Sequence, residues 1–147
     1  MYMKIYVLGS NKFLKEMVAC KNELCELGLD GWIHPDYEAY NKGEKMDIWN
    51  RAHAGEHVQI KIENDYMRQH YKNILASDAI LCVNNEKNGQ KNYIGPNVLM
   101  EIGQAYVNDK KIFLLNDIPM EVAHADEIQT CEPICLYGDL NNIRKYL

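Results

Sequence analysis

The fold class is decided by the segment Met3-Lys4-Ile5-Tyr6-Val7-Leu8-Gly9-Ser10-Asn11. The part from Met3 to Leu8 is a nearly continuous apolar run rich in β-forming residues, which is typical of a strand buried on both faces. Gly9 and the two polar residues after it supply a turn and a helix N-cap, and apolar residues then recur at helical spacing until Gly28. The segment therefore predicts a strand, a tight turn and a helix.

The same alternation continues along the chain. Further strands are predicted at residues 32–34, 79–83, 111–115 and 133–136. Helices are predicted over 46–76 with a break at Gly55, from Pro96 to about Asn108, irregularly after Pro119, and at the C-terminus after an Asp139 cap. Residues 36–45 and 84–95 are predicted to be loops, and loops as long as the second are often functional.

Five strands alternating with helices predict an α/β fold in a single domain over residues 1–147. The expected architecture is a doubly wound, Rossmann-like or flavodoxin-like, five-stranded parallel sheet with helices on both faces. In such sheets ligands bind outside the carboxyl ends of the strands, near the switch in strand order. The positions of interest therefore follow Leu8, His34, Val83 and Leu115.

Composition excludes several classes of protein. The 147 residues carry 16 Lys and Arg against 21 Asp and Glu, a net charge of -5, which argues against binding to a nucleic-acid polymer. The apolar runs are too short to span a membrane. Five cysteines without a CxxC pair predict free thiols in a reducing cytoplasm. We expect no metal site, because Gly55 interrupts the only His pair at helical spacing, His53 and His57.

Four polar features can carry chemistry. In the first turn, Gly9, Ser10 and Lys12 suit an anion such as phosphate, since glycine allows close approach and the following helix offers free N–H groups. A plain structural turn explains these residues equally well.

Glu101 lies at the edge of the apolar face predicted to be formed by Val98, Ile102, Ala105 and Tyr106, at 100° per residue. Such a carboxylate points toward the cleft, where the helix end is expected to hold it ionised, and is a plausible nucleophile. The alternative is a glutamate that only complements the helix dipole.

The other two features are carboxylates with flanking amides. Asp78 directly precedes the strand 79–83, where a helix-ending turn is the simpler interpretation, while Asn85 follows the strand on the side where ligands bind. Asp65 lies within the long predicted helix, and its orientation decides whether it is a site residue or a solvated one.

Three segments together resemble the nucleoside 2-deoxyribosyltransferase family and its nucleotide N-hydrolase relatives. They are Ser77-Asp78-Ala79-Ile80-Leu81-Cys82-Val83, Met100-Glu101-Ile102-Gly103-Gln104-Ala105-Tyr106 and Lys110-Lys111-Ile112-Phe113-Leu114-Leu115. The start, Ile5-Tyr6-Val7-Leu8-Gly9-Ser10, is similar to the family's first strand and its Gly-Ser turn. The resemblance covers roughly residues 3 to 116.

The resemblance implies roles for individual residues. Glu101 matches the nucleophile that attacks the anomeric carbon, Asp78 matches the carboxyl group that handles the proton of the base, and Tyr6 matches the tyrosine that orients the nucleophile. Asp65 matches the aspartate of an Asn-Asp pair in the long helix. A homo-oligomer, a dimer or higher, is also implied, because sites of this family borrow residues from a neighbouring subunit.

The chain departs from the family in the loop before Glu101. Gly95 stands where transferases carry an aspartate, and the nearest polar side chains are Asn92 and Asn97. No serine is present in this loop for a phosphate, so that Gly9, Ser10, Lys12 and Asn97 are expected to substitute.

We therefore expect cleavage or transfer at the N-glycosidic bond of a nucleoside or nucleoside 5'-monophosphate through a glycosyl-enzyme intermediate, without a cofactor. The alternatives are an NAD-type glycohydrolase and a non-catalytic nucleotide-binding or sensing module.

Overall fold

The computed structural model describes residues 2–147, and Met1 of the predicted domain lies outside the described residues. The strands in chain order are β1 (Lys4–Gly9), β2 (Asp30–Trp32), β3 (Ala79–Val83), β4 (Lys111–Leu114) and β5 (Ile134–Cys135). The α-helices are α1 (Leu14–Glu26), α2 (Pro35–Asn41), α3 (Met46–Arg51), α4 (His57–Glu63), α5 (Tyr66–Leu75), α6 (Pro96–Val107) and α7 (Ala125–Thr130). Short 3-10 helices lie at Asn11–Phe13 and Leu140–Tyr146, and a π-helical turn at Ala52–Glu56 joins α3 to α4.

The described strands form one sheet in the order β2-β1-β3-β4-β5, and every pair in it is parallel. This is the flavodoxin-like order of a doubly wound sheet. The chain leaves β1 toward β2 on one side and returns to β3 on the other, so the switch in strand order lies between β1 and β3. The predicted α/β fold class is confirmed.

Two apolar cores pack on opposite faces of the sheet, and β1 contributes to both because successive side chains of a strand point to opposite faces. Ile5 and Val7 belong to the core under α1, whereas Tyr6 and Leu8 belong to the core under α5 and α6. All four side chains are almost fully buried. A strand buried on both faces must be apolar nearly throughout, which explains the apolar run at residues 3–8.

The structure differs from the sequence predictions between residues 30 and 76. β2 lies two residues earlier than expected, and α2 occupies part of the predicted loop 36–45. Pro35 at the first helical position and the Nδ1 atom of His34, which accepts from the Asp36 N–H (3.0 Å), begin that helix. The long predicted helix is interrupted at Gly55, as expected, and again at Asp65, whose φ of 52° is left-handed.

The C-terminal half follows the prediction more closely. α6 begins at Pro96 and ends at Val107, one residue before the predicted end. Asp139 caps the terminal helix by accepting from the Asn141 N–H (2.9 Å), although this helix has 3-10 geometry. None of the helices within residues 2–147 combines the length and the apolar character that a membrane crossing requires.

Gly31 in β2 provides a test of how tightly α1 packs against the sheet. A Cβ atom added there would lie 2.8 Å from the Leu24 Cβ and 3.0 Å from the Lys21 carbonyl oxygen. We expect Gly31→Ala to lower the free energy of unfolding by about 1–3 kcal/mol, because the helix must move away. Chemical denaturation of the purified variant measures this change.

Gly103→Ala is the matched control, because a Cβ at that position in α6 meets no atom within 4 Å of the described chain. It should leave stability unchanged or raise it by up to about 1 kcal/mol through helix propensity. Equal destabilisation by both substitutions would contradict the packing described for Gly31.

Candidate functional site

A cavity of about 810 Å³ lies at the carboxyl edge of the sheet, above the switch between β1 and β3. The turn after β1 forms one wall, the segment before and within the start of α6 forms another, and α2 to α5 form the rest. Parallel doubly wound sheets bind their ligands at this position. The cavity is therefore the candidate functional site.

Most residues predicted for the site are in this cavity. Those that line it are Gly9, Ser10, Lys12, Gly95, Asn97 and Glu101. Tyr6 lies in the core beneath the cavity, where the charge of Glu101 raises its pKa as a secondary effect after burial. The structure thus brings the predicted nucleophile, its predicted orienting tyrosine and the predicted anion-binding turn together.

Asp78 does not lie with these residues. It precedes β3 at the amino edge of the sheet, and its Oδ2 atom accepts from the Lys4 N–H (2.8 Å) at the start of β1. Glu101 lies near Cys82, whose pKa it raises as a secondary effect after burial. Cys82 is four residues beyond Asp78 on the strand, a distance of about 13 Å at the rise of a β-strand. The prediction that Asp78 handles a proton beside Glu101 is wrong for this geometry, and Asp78 instead joins two strands.

Three other predicted residues have structural roles outside the cavity. Asp65 is half-exposed and forms an ion pair with Arg68 (3.0 Å), in the left-handed turn between α4 and α5. The Oδ1 atom of Asn85 accepts from the Asn116 Nδ2–H (2.9 Å). Asn92 takes up a left-handed turn with φ 55°. These positions are fixed by turns and loop contacts, and the prediction that they bind substrate is not supported by their placement.

Gly95 has a packing role that explains the absence of a side chain there. A Cβ atom at this position would lie 2.6 Å from the Tyr93 hydroxyl oxygen. Tyr93 lines the cavity and also lies against the ammonium group of Lys87, which is 4.8 Å from the centre of its ring. An aspartate at position 95 would displace the Tyr93 ring.

The carboxyl group of Glu101 is the unusual feature of the cavity. Its Oε2 atom is buried and has no hydrogen-bond partner within residues 2–147. Burial raises its pKa to about 8, although Lys61 acts in the opposite direction. The prediction that the helix end holds this group ionised is wrong, because Glu101 is the sixth residue of α6 and the effect of the helix dipole is confined to about the first turn.

A histidine links two tyrosines beside Glu101. The Nδ1 atom of His70 lies 2.7 Å from the Tyr6 hydroxyl oxygen, and its Nε2 atom lies 3.2 Å from the Tyr37 hydroxyl oxygen. His70 is buried, and burial lowers its pKa to about 3. Burial also raises the pKa of both tyrosines, with Glu101 as an additional cause. All three side chains are therefore uncharged near neutral pH.

A second hydrogen-bonded group lies beside the first, on the same helices α2 and α5. The Tyr66 hydroxyl donates to Asp36 Oδ2 (2.7 Å) and also contacts the Tyr40 hydroxyl. Lys45 forms an ion pair with the other oxygen of Asp36 (2.6 Å). This network fixes the positions of two aromatic rings that line the cavity.

The lining of the cavity is more basic than the chain as a whole. Its charged side chains are Lys12, Lys15, Lys61, Lys87, Glu16 and Glu101. Lysines predominate although the chain carries a net charge of -5. Near the turn after β1, Lys87 donates to Ser10 Oγ (3.1 Å) and Lys12 donates to Asn88 Oδ1 (3.2 Å). These two ammonium groups and the Ser10 hydroxyl form a polar corner suited to an anion.

The sequence analysis missed several residues of the cavity. Tyr37 falls within the predicted loop 36–45, and no role is predicted for His70. The spacing of Tyr66, His70 and Ile74, which are buried at every fourth residue of α5, is the signal that predicts an inward-facing histidine. Lys61 carried no comparable signal, because only the tertiary fold shows that its ammonium group acts on Glu101. Within residues 2–147, no three His, Cys, Asp or Glu side chains are arranged to hold a metal ion.

Burial of Glu101 predicts a pH-dependent stability. The folded pKa of about 8 lies above the ordinary value of 4.5, so between these limits the folded chain binds a proton that the unfolded chain has lost. Stability therefore falls as the pH rises through this window, by about 1.4 kcal/mol per pH unit at most. The Glu101→Gln variant has no ionisable side chain at position 101, so its stability should not show this decrease.

Urea denaturation of both proteins at pH 4.5, 6, 7 and 8 measures the difference between their free energies of unfolding. The variant should gain stability relative to the wild type as the pH rises. A constant difference across this range would contradict the assigned pKa of Glu101.

Comparisons with known proteins add no assignment to this site. No protein-family model, no curated protein and no solved structure matches the chain. The residues of the cavity and the resemblance of the sequence motifs are therefore the basis for a proposed function.

Proposed function

We propose that the chain is an enzyme that cleaves or transfers the N-glycosidic bond of a nucleoside or nucleoside 5'-monophosphate, with Glu101 as the nucleophile. The observation that carries the proposal is the buried Oε2 atom of Glu101, which has no partner within residues 2–147, in a cavity at the β1/β3 switch point. Buried polar atoms without partners are rare in proteins and are often explained by a role in catalysis.

The aromatic content of the cavity favours a substrate with a planar base. The rings that line it are Tyr37, Tyr40, Trp49, Tyr66 and Tyr93. Aromatic side chains stack on nucleobases with little regard to base identity. Their number in one cavity supports a nucleoside over an aliphatic substrate.

The lysines at the first turn support a phosphorylated substrate. Lys12, Lys87 and Ser10 lie together at the carboxyl end of β1, where Gly9 leaves the backbone accessible. Ammonium groups bind phosphate oxygens through charge-assisted hydrogen bonds. We therefore extend the proposal to a 5'-phosphate held at this corner, with the sugar between it and Glu101.

The reaction requires a proton that Glu101 can itself supply. As a carboxylate oxygen of Glu101 bonds to the anomeric carbon, the bond from this carbon to the base nitrogen breaks and its electron pair leaves with the base. The proton that the carboxyl group carries before reaction passes to the base, directly or through a water. Hydrolysis of the ester by water, or attack by a second base, then restores Glu101.

One observation favours a second candidate function. The carboxyl group that the resemblance assigns to proton transfer, Asp78, lies at the other edge of the sheet. A module that binds or senses nucleotides without catalysis needs no such group, and the same aromatic and basic lining would serve it. Release of the base distinguishes the two functions.

We propose the cytoplasm as the location of this protein and a small molecule as its partner, without a cofactor. In the part of the chain that the structure describes, all five cysteines are free thiols. Free thiols are retained in reducing compartments. The acidic net charge continues to disfavour a nucleic-acid polymer as the partner.

Exposed apolar side chains support the homo-oligomer that the resemblance implies. On α5, Met67, Tyr71 and Leu75 follow each other at four-residue spacing, and on α6 Met100 and Val107 are seven residues apart. All five are exposed, and Val107 is 75% exposed. Apolar patches of this kind are common at protein interfaces. Met67 also lines the cavity, so a second copy bound to this face would close one edge of the site.

The proposed reaction is tested by incubating the protein with nucleosides, their 5'-monophosphates and NAD, and measuring the released base by chromatography. We expect release from a nucleoside or monophosphate, and a covalent adduct on Glu101 with a 2-fluoro nucleoside analogue. Glu101→Gln should retain the fold and lose turnover by at least about three orders of magnitude, since the nucleophile is removed.

Asp78→Asn is the matched carboxyl-to-amide control, and it should retain turnover once its folding has been verified by circular dichroism. Release of nicotinamide from NAD alone would favour the glycohydrolase. Tight nucleotide binding without base release would favour the sensing module and contradict catalysis by Glu101.

The oligomer is tested by light scattering after size-exclusion chromatography. We expect a dimer or larger species for the wild type and a shift toward monomer for Val107→Lys, because a charge at the interface is costly to desolvate. Met120→Lys, an exposed apolar residue away from α5 and α6, should leave the oligomer intact. A monomeric wild type would exclude this interface.

A further inference from the structure

One wall of the cavity is formed by residues 46–63, which comprise α3, the π-helical turn and α4. The side chains of this segment that line the cavity include Met46, Ile48, Trp49, His53, His57 and Lys61. Another face of α4 carries Val58 and Ile62, which are 72% and 68% exposed. The segment therefore lies between the cavity and the solvent.

This segment packs separately from the sheet. Ala52 and Ile60 form a small cluster with Tyr66 of α5, and Ile48 packs against it. Within residues 2–147, neither of the two sheet cores contains a side chain from residues 46–63. Units that bury few apolar side chains open at a lower cost in free energy than the core of a protein does. The segment can therefore move while the sheet stays folded.

Both ends of the segment are marked by a residue with left-handed backbone geometry. Lys45, directly before α3, has a φ of 53°, and Asp65, two residues after the end of α4, has a φ of 52°. The segment is therefore not continuous with α2 or with α5. Hinges of moving segments are typically a few residues at the ends of elements, which absorb the changes in φ and ψ. Lys45 and Asp65 lie at such positions.

Arg51 connects the three parts of the segment. Its Nη2 atom lies 3.1 Å from the Oε1 atom of Glu56, and its Nη1 atom lies 3.1 Å from the Oε2 atom of Glu63. Arg51 belongs to α3, whereas the two glutamates belong to the π-helical turn and to α4. A planar guanidinium group can bind two carboxylates at once. Together with the shared apolar cluster, these ion pairs favour movement of the segment as one body.

Asp36, on α2, holds this segment in place at both of its ends. Its Oδ1 atom accepts from the ammonium group of Lys45 (2.6 Å), and its Oδ2 atom accepts from the hydroxyl of Tyr66 (2.7 Å). Lys45 is the residue before α3, and Tyr66 provides the ring on which Ala52 and Ile60 pack. The Asp36 side chain is only 15% exposed, and hydrogen bonds that involve a charged group are stronger than neutral ones. A single carboxylate thus fixes both ends.

We propose that residues 46–63 are a lid that swings away from the cavity as one body about Lys45 and Asp65, and that Asp36 is the latch that holds this lid closed. In the closed position Trp49 and Lys61 complete the wall of the cavity. In the open position a ligand enters and leaves on this side. The lid controls access for any ligand of the cavity, so its role does not depend on the function proposed above.

The test measures the exposure of the inner face of the lid by NMR, on full-length protein with labelled isoleucine methyl groups and a soluble gadolinium chelate. Ile60 and Ile48 line the cavity, and Ile60 is only 3% exposed. Asp36→Ala removes both contacts of the latch. We expect it to raise the paramagnetic relaxation of the Ile60 and Ile48 methyl groups by at least about threefold, because an open lid exposes them. Ile80, fully buried in β3, should stay unchanged.

Two further variants separate the contacts of the latch. Lys45→Met removes the ion pair and keeps the apolar stem of the side chain, whereas Tyr66→Phe removes the hydroxyl and keeps the ring. Each should raise the relaxation of the Ile60 methyl group, by less than Asp36→Ala does.

Glu38→Gln is the matched control, because it neutralises another carboxylate of α2, which forms an ion pair with Lys21 (2.7 Å) outside the latch. It should leave the relaxation of Ile60 unchanged.

The result that overturns the latch is unchanged relaxation of Ile60 in both Asp36→Ala and Lys45→Met. A rise at Ile60 without a rise at Ile48 would contradict a lid that moves as one body. If Ile80 becomes exposed in Asp36→Ala, that variant has lost its fold, and Lys45→Met alone then decides, because Lys45 is exposed and contributes no core packing.

Discussion

The parallel pairing of β1 with β3 is the constraint on which the rest of the structure depends. It places Gly9 beside Val83 in register, and the loops that leave these two strand ends must then diverge to opposite faces of the sheet. The opening between them is the cavity. Gly9 is required at this point, since a Cβ atom there would lie 3.0 Å from the Val83 carbonyl oxygen. A larger residue would separate the two strands where the site is formed.

The burial of Glu101 follows from how α6 packs on this sheet. Val98, Ile102 and Ala105 anchor the helix in the core beneath the cavity, and the position of Glu101 between them turns its carboxyl group inward. A buried carboxyl group without a partner is costly when ionised, so it keeps its proton instead. The packing that stabilises the fold thus also sets the protonation state of the proposed nucleophile. Lys61 acts in the opposite direction and lowers this cost.

The sequence was informative where the physics is local or periodic. The strands were predictable because a strand buried on both faces must be apolar, and the inward position of Glu101 followed from helical geometry. The match of Asp78 to the family rests on residue types and does not consider at which end of the strand the residue lies. Asp78 precedes β3, and ligands of such sheets bind at the opposite, carboxyl edge. Asp65 lies outside the cavity because a left-handed turn interrupts the helix that its prediction assumed. Tyr37 and His70 could not be paired from sequence, since only the tertiary fold brings α2 against α5.

A phosphate bound in the cavity would affect the ionisation of Glu101. A phosphate held by Lys12 and Lys87 would bring negative charge into the same cavity as Glu101, and this charge would disfavour ionisation of the carboxyl group further. Lys61 opposes that effect. Four lysines, Lys12, Lys15, Lys61 and Lys87, line this cavity, so that a chain with a net charge of -5 still presents positive charge where a phosphate would bind.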